Sequence, residues 1–170
     1  NEGELLSVGW VCVENGAIAL SSARHYLIRA EKSVGQSATI HSLRDCEFDE
    51  ADTREEVLAR FLEAAAGRIL VFHNAALDLA FLNTVSRREF DTPVLLPAID
   101  TLVQEQRLLQ RREVPIQQGD LRLQACRDRY NLPQFPAHNA LLDALATAEL
   151  LVAMARHRSS GREFPLSQLL

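Results

Sequence analysis

Lysine occurs once in the 170 residues, at Lys32, aromatic side chains make up 6%, and cysteine appears three times. No apolar run approaches the ~20 residues that cross a bilayer, which argues against a membrane protein. The opening NEGELLSVGW lacks the basic segment followed by an apolar one that marks a secretion signal. It also lacks a methionine and runs at once into strand-like residues, so it reads as the interior of a longer polypeptide. Cys12, Cys46 and Cys126 are odd in number and widely spaced, with no Cys-x-x-Cys. That pattern fits reduced thiols in a cytoplasmic protein better than disulfides or a zinc site. A Gly-x-x-x-x-Gly-Lys phosphate loop and a Gly-x-Ser-x-Gly elbow are both missing, which removes the usual support for other enzyme classes. A net charge of −5 is unlike a passive nucleic-acid coat, which would be basic. It is compatible with a nucleic-acid enzyme that gathers carboxylates around cations.

What is present suits one domain with a real core: 47% hydrophobic and 24% charged residues over a length that buries a core. Residues 5–13, LLSVGWVCV, read as a strand, and Asn15-Gly16 as a hairpin turn because both residues tolerate positive φ. Short strands are expected at 17–20 and 23–28, and a polar loop with IHSLRD over 30–52. Residues 53–67 have helical spacing, with a capping box from Thr53 to Glu56 and Gly67 as the stop. RILVF at 68–72 reads as a buried strand, 77–88 as a helix and 92–100 as extended chain. Further helices are expected at 101–111, 121–130 and 140–156. Strands followed by strand–helix alternation imply an α/β domain with a mixed sheet over 1–158, and 159–170 as a tail or linker.

The chain writes HNAALD at 73–78 and HNALLD at 138–143, in unlike surroundings. The first follows a buried strand, the second the loop NLPQFPA, so these are two jobs rather than two copies. Asp78 falls just beyond a strand end, where open α/β sheets bind ligands and where an aspartate can cap a helix or ligate a hard cation. Asp143 lies one turn inside a helix, beside the small residues Ala140, Ala146 and Thr147. An unpaired carboxylate on such a close-packing face is costly, and a cation offsets the cost. Pro136 places His138 in the loop before that helix. Carboxylate oxygens suit Mg²⁺ or Mn²⁺, paired metals hydrolyse phosphodiesters, and a histidine near neutral pKa takes the water's proton. Asp78 and Asp143 are the expected metal ligands and His138 the general base, with His73 a structural histidine at the strand exit.

These segments resemble motifs of the DEDD-type 3′–5′ exonucleases in the variety that uses a catalytic histidine. This family includes the proofreading epsilon subunits of bacterial DNA polymerase III. LVFHNAALDLAFLN resembles the second motif, with Leu77 where phenylalanine is usual, and HNALLDALATAELL resembles the third. IHSLRD and AIDTL match supporting stretches, so the resemblance runs in order from about residue 4 to 156. It implies a ribonuclease H-like fold, a five-stranded mixed sheet flanked by helices, and a metal-dependent exonuclease that releases nucleoside monophosphates from a DNA or RNA 3′ end. It implies a structural role for Asp100. The family's first motif, Asp-x-Glu on an opening strand, has no counterpart, and Glu2-Gly3-Glu4 precedes a strand rather than ending one. That strand and part of the two-metal site are therefore expected outside these residues. The alternative is a catalytically inactive nucleic-acid-binding or docking module, with a protein partner or fused domain engaged through the termini. Asn74, Phe81 and Phe135 are candidates for substrate contact, the aromatic rings by stacking on a terminal base.

Overall fold

In the computed structural model, residues 7–28, 52–136, 139–159 and 165–169 are described. The expected 30–52 loop, with its IHSLRD stretch, lies almost wholly outside them. β1 (Ser7–Glu14) and β2 (Ala17–Leu27) form an antiparallel hairpin closed by Asn15 and Gly16, at φ 51° and 74°. Where two short strands were expected after the turn, β2 is continuous. The break at Ser21-Ser22 is instead a bulge: register shifts between Trp10 and Cys12, and Ser22 Oγ accepts from Cys12 N at 2.8 Å.

Helix α1 (Arg54–Ala65) starts at the expected capping box, with Thr53 and Glu56 each accepting from the other's backbone. β3 (Leu70–Phe72) leads into α2 (Ala75–Phe90), and β4 (Ala98–Asp100) leads directly into α3 (Thr101–Arg111). Only Ala98–Asp100 of the predicted 92–100 extended stretch pairs as a strand. β3 and β4 run parallel, Leu70 opposite Ala98 and Phe72 opposite Asp100. A short α4 (Leu123–Asp128) and the long α5 (Ala140–Ser159) complete the set, the last longer than expected by most of a turn.

Side chains alternate across the strands as their period of two requires. Leu70, Phe72, Ala98, Val8 and Trp10 pack toward Leu58, Phe61 and Leu82 of α1 and α2. Ile69, Val71, Ile99 and Val13 pack on the opposite side, against Leu151 of α5. Both strand pairs thus lie between the same two helical layers, and α4 stacks outside α5 through Cys126, Leu150 and Met154. Among the described residues the four strands form two pairs, one antiparallel and one parallel, which is a mixed α/β arrangement. Leu169 is buried against Ile99 and Leu151, and its carbonyl accepts from Gln104 Nε2 at 2.9 Å, so the end of the tail docks on the domain. No described helix is long and apolar enough to cross a membrane.

Gly9 is required by close approach. A Cβ there would lie 2.4 Å from Leu141 N and 2.5 Å from Ala140 C, backbone atoms at the start of α5. Gly9→Ala therefore has to push away the turn that carries Asp143. Overpacking of this kind costs about 1–3 kcal/mol, and a chemical-denaturation midpoint lowered to match is the expected result. An unchanged midpoint would mean that α5 does not press on β1 in solution.

Candidate active site

Because β3 and β4 are parallel, their C-terminal ends emerge side by side, and each is followed at once by a helix. Asp100 joins these exits. Its carboxylate accepts from Asn74 N at 3.0 Å, Ala75 N at 2.9 Å and Leu102 N at 2.9 Å. One side chain thus caps α3 and also satisfies the first N–H groups of α2. Asn74, the residue before α2, is left-handed at φ 73° and makes no side-chain cap. Asp78 is not the cap of α2. It sits within the first turn, where a carboxylate still faces the helix's positive end.

His73 is held at both nitrogens, with Nε2 2.8 Å from the Leu121 carbonyl and Nδ1 2.9 Å from Thr101 Oγ1. Burial lowers its pKa, which favours the neutral ring with Nε2–H donating to Leu121. The Thr101 hydroxyl also lies 3.0 Å from the Phe72 carbonyl, so its one proton is shared between two acceptors. A ring engaged in this way ties β3, α3 and the 121 loop together, as a structural histidine does. Beside it opens a groove of about 380 Å³ lined by His73, Asn74, Leu102, Gln117, Gln118 and Arg122. Of these, the sequence offers Asn74 as a candidate contact and assigns no role to Gln117, Gln118 or Arg122. The polar Gln-Gln-Gly-Asp stretch was the available signal.

Asp143 lies half-buried in the first turn of α5, with Ala146 and Thr147 buried beside it. Asp78 and Asp143 come from different helices and are brought close enough to interact. The Asp78 carboxyl is pushed up to about 6, first by partial desolvation and then by the facing charges of Asp100 and Asp143. Solvent still reaches Asp78, and water screens those charges. His138 lies outside the described residues. Its successor Asn139 caps α5, Oδ1 accepting from Leu141 N and Leu142 N at 3.1 Å each. Phe81 is half-buried on α2, three residues beyond Asp78, while Phe135 has the Arg127 guanidinium over its ring at 5.1 Å.

The donor chemistry fits a hard divalent cation: two carboxylates whose mutual repulsion a positive ion would relieve. Among the described residues no three histidine, cysteine, aspartate or glutamate side chains converge as a metal-binding group. The raised Asp78 has a consequence in chelator-treated protein. The folded state holds the proton more tightly than the unfolded state, whose carboxyl stays near 3.8. Its contribution to stability is fully present below that value and is lost as pH rises through about 6. Asp78→Asn is expected to abolish this loss, so the variant should gain stability relative to the parent across that range. Parallel denaturation curves for the two would show that the carboxyl is unperturbed.

The residues that form this site lie inside a stretch, residues 2–151, that matches the RNase_T exonuclease model. The chain belongs to that exonuclease family. Across 88% of its length this family member is 30% identical to a Mycobacterium tuberculosis protein named as a bifunctional exonuclease/endonuclease, covering 22% of that protein. It is 29% identical to a DNA polymerase III subunit epsilon-like protein of Rhodobacter capsulatus, matching over 89% of the chain and 21% of the relative. DNA polymerase III subunit epsilon of Escherichia coli is 26% identical over 89% of the chain and 65% of its own length. The chain thus spans about a fifth of the first and second of these proteins and about two thirds of the third.

Two solved structures share the fold. Exonuclease X, in complex with 5′-overhanging duplex DNA, superposes with a TM-score of 0.69 at 21% identity, covering 99% of this chain and 90% of that one. A full-length 3′-exonuclease gives 0.71 at 14% identity, with 91% and 73% covered. The fold is accordingly the ribonuclease H-like α/β fold of these exonucleases. Exonucleases of this kind generally use divalent metal ions.

Proposed function

We propose that the chain is the nuclease domain of a metal-dependent 3′–5′ exonuclease. The observation that carries the reading is the match of residues 2–151 to the exonuclease family. It is supported by Asp78, in the first turn of the helix that follows β3, and by Asp143, on a second helix and one of the charges that raise the Asp78 carboxyl. Asp78 and Asp143 would hold Mg²⁺ or Mn²⁺, which in two-metal hydrolysis activates the attacking water and stabilises the leaving oxygen. His138 accepts the proton of that water as its oxygen attacks the terminal phosphodiester. The P–O bond to the preceding 3′ oxygen breaks, and a nucleoside monophosphate leaves. Asp100 and His73 keep the β3–α2 exit rigid beneath Asp78. Asn74 and Phe81 contact the terminal nucleotide.

The partner in this reading is the 3′ end of single-stranded DNA or RNA; nucleic acid as the class of ligand is supported by the duplex DNA bound in the related Exonuclease X structure. The reading places the protein in the cytoplasm. The test uses 5′-labelled and 3′-labelled single-stranded oligonucleotides with the intact protein, in Mg²⁺ or Mn²⁺ and in chelator. Stepwise shortening from the 3′ end that chelator abolishes is expected. Binding without cleavage in the presence of metal, or internal cuts, would overturn the assignment.

A further inference from the structure

The groove beside His73 reaches from Asn74, at the start of α2, to the turn that precedes α4. Its far wall is a short stretch whose backbone folds back on itself. Gln117 N donates to Asp120 Oδ2 at 2.7 Å, Asp120 N to the Gln117 carbonyl at 3.2 Å, and Arg122 N to the Gly119 carbonyl at 3.0 Å. Gly119 takes φ 97°, a conformation that a side chain resists. The turn is also tied down from outside. His73 holds the Leu121 carbonyl, and Arg129 Nη2 donates to the Asp120 carbonyl at 2.8 Å. The wall therefore keeps a fixed place relative to the strand exits, and little has to be ordered when a ligand meets it.

What this wall presents is polar and carries one charge. Gln117, Gln118 and Arg122 are exposed, and Arg122 supplies the groove's formal charge, since burial keeps His73 neutral. Its Nε lies 3.9 Å from where a Cβ on Gly119 would stand, so the arm runs along the turn. Among the described residues no carboxylate pairs with this guanidinium, whereas Arg127 and Arg129 are ion-paired with Glu149 and Glu105. The nearby acids are engaged elsewhere: Asp120 by Gln117 N, and Asp100 by the N–H groups of Asn74, Ala75 and Leu102. A solvated arginine is ordinary on a surface. This one stands at the end of a groove that begins at a candidate nucleotide contact, in a chain of net charge −5, where attraction for a polyanion has to be local.

A strand continues from its 3′ end in one direction only, toward 5′. On the exonuclease function given above, which puts the terminal nucleotide against Asn74, we propose that the groove takes a phosphate of the substrate strand on the 5′ side of the scissile bond. Arg122 grips that phosphate, with the Gln117 and Gln118 amides as neutral donors beside it. A guanidinium fork matches two phosphate oxygens, and amides add contacts that fix the strand's position without reading its sequence.

The experiment compares the intact parent with Arg122→Gln, an exposed substitution that keeps hydrogen bonding and removes the charge. Binding of a single-stranded oligonucleotide is followed by fluorescence anisotropy in chelator across about 50–200 mM salt. The variant should bind about tenfold more weakly at the lowest salt, the order of one charge-assisted contact. The slope of log K against log salt should shrink by about 0.7, one phosphate on a single strand. Cleavage in Mg²⁺ gives a second arm. The p-nitrophenyl ester of thymidine 5′-monophosphate carries a terminal nucleotide and a cleavable phosphodiester, with p-nitrophenolate leaving where the preceding 3′ oxygen would, and no strand beyond. For a decanucleotide kcat/KM should fall by about the same tenfold, carried by KM, while the ester, which cannot reach Arg122, should lose less than about twofold. An unchanged salt slope overturns the proposal. So does an equal loss on ester and strand, which puts Arg122 at the terminal nucleotide, or a loss seen only with a duplex, which puts it on the complementary strand. If the parent cleaves neither substrate, the exonuclease function falls, and the salt slope alone decides whether Arg122 holds a strand phosphate.

Discussion

Replacing His138 by alanine is expected to slow hydrolysis by about 10²–10⁴-fold, the usual contribution of a positioned proton acceptor. Binding of a single-stranded oligonucleotide, measured by fluorescence anisotropy, should change little, because alanine removes neither a carboxylate nor a phosphate contact. The acid-side limb of the pH–rate profile should flatten as well, since it reports protonation of the base. His73 cannot stand in for the missing ring. Its nitrogens are engaged by Leu121 and Thr101, and burial keeps it neutral and fixed. A loss of binding equal to the loss of rate would contradict the assignment and make His138 a substrate contact.

Asp143→Asn is the second large effect. The amide preserves the shape of the first turn of α5 beside Ala146 and Thr147 but removes an anionic oxygen donor. Loss of a residue that merely supports a metal ligand costs about 10–100-fold, so loss of a ligand itself should cost at least about 100-fold. The divalent-cation concentration giving half-maximal rate should rise with it. A readout independent of activity follows from the charges. Asp143 is one of the groups that raise the Asp78 carboxyl, so in chelator-treated protein the Asp78 titration should move down toward its ordinary value. An unchanged metal titration together with an unchanged Asp78 would separate the two residues and remove Asp143 from the ligand set.

Much of the fold was legible because it rests on rules that act within a few residues. Asn15-Gly16 makes its turn through two positive φ values, Thr53 and Glu56 cap reciprocally, and α3 begins at Thr101 as the sequence pattern implied. The alternation that sends Leu70 and Phe72 to one layer and Val71 to the other is equally local. Where the local pattern was ambiguous, tertiary context decided. Ser21-Ser22 reads as a break, yet pairing with β1 carries the strand through it as a bulge. Capping is one of the roles the sequence leaves open to Asp78, yet the N–H groups opening α2 are taken by Asp100 instead.

The sequence by itself determined the residue types of the candidate site, their order and the family to which the chain belongs, because those follow from short motifs and spacing. Only the tertiary structure decided which charges meet. Asp100 reaches the start of α2 across 26 residues, and Arg127 reaches Ala146 across 19. A carboxylate or guanidinium bonds to whatever the fold brings within about 3 Å, and that neighbourhood depends on packing between layers rather than on adjacent residues. The same reason explains why a buried arginine beside a loop went unread: in sequence it is one charge among several, and burial alone makes it costly enough to need its partners.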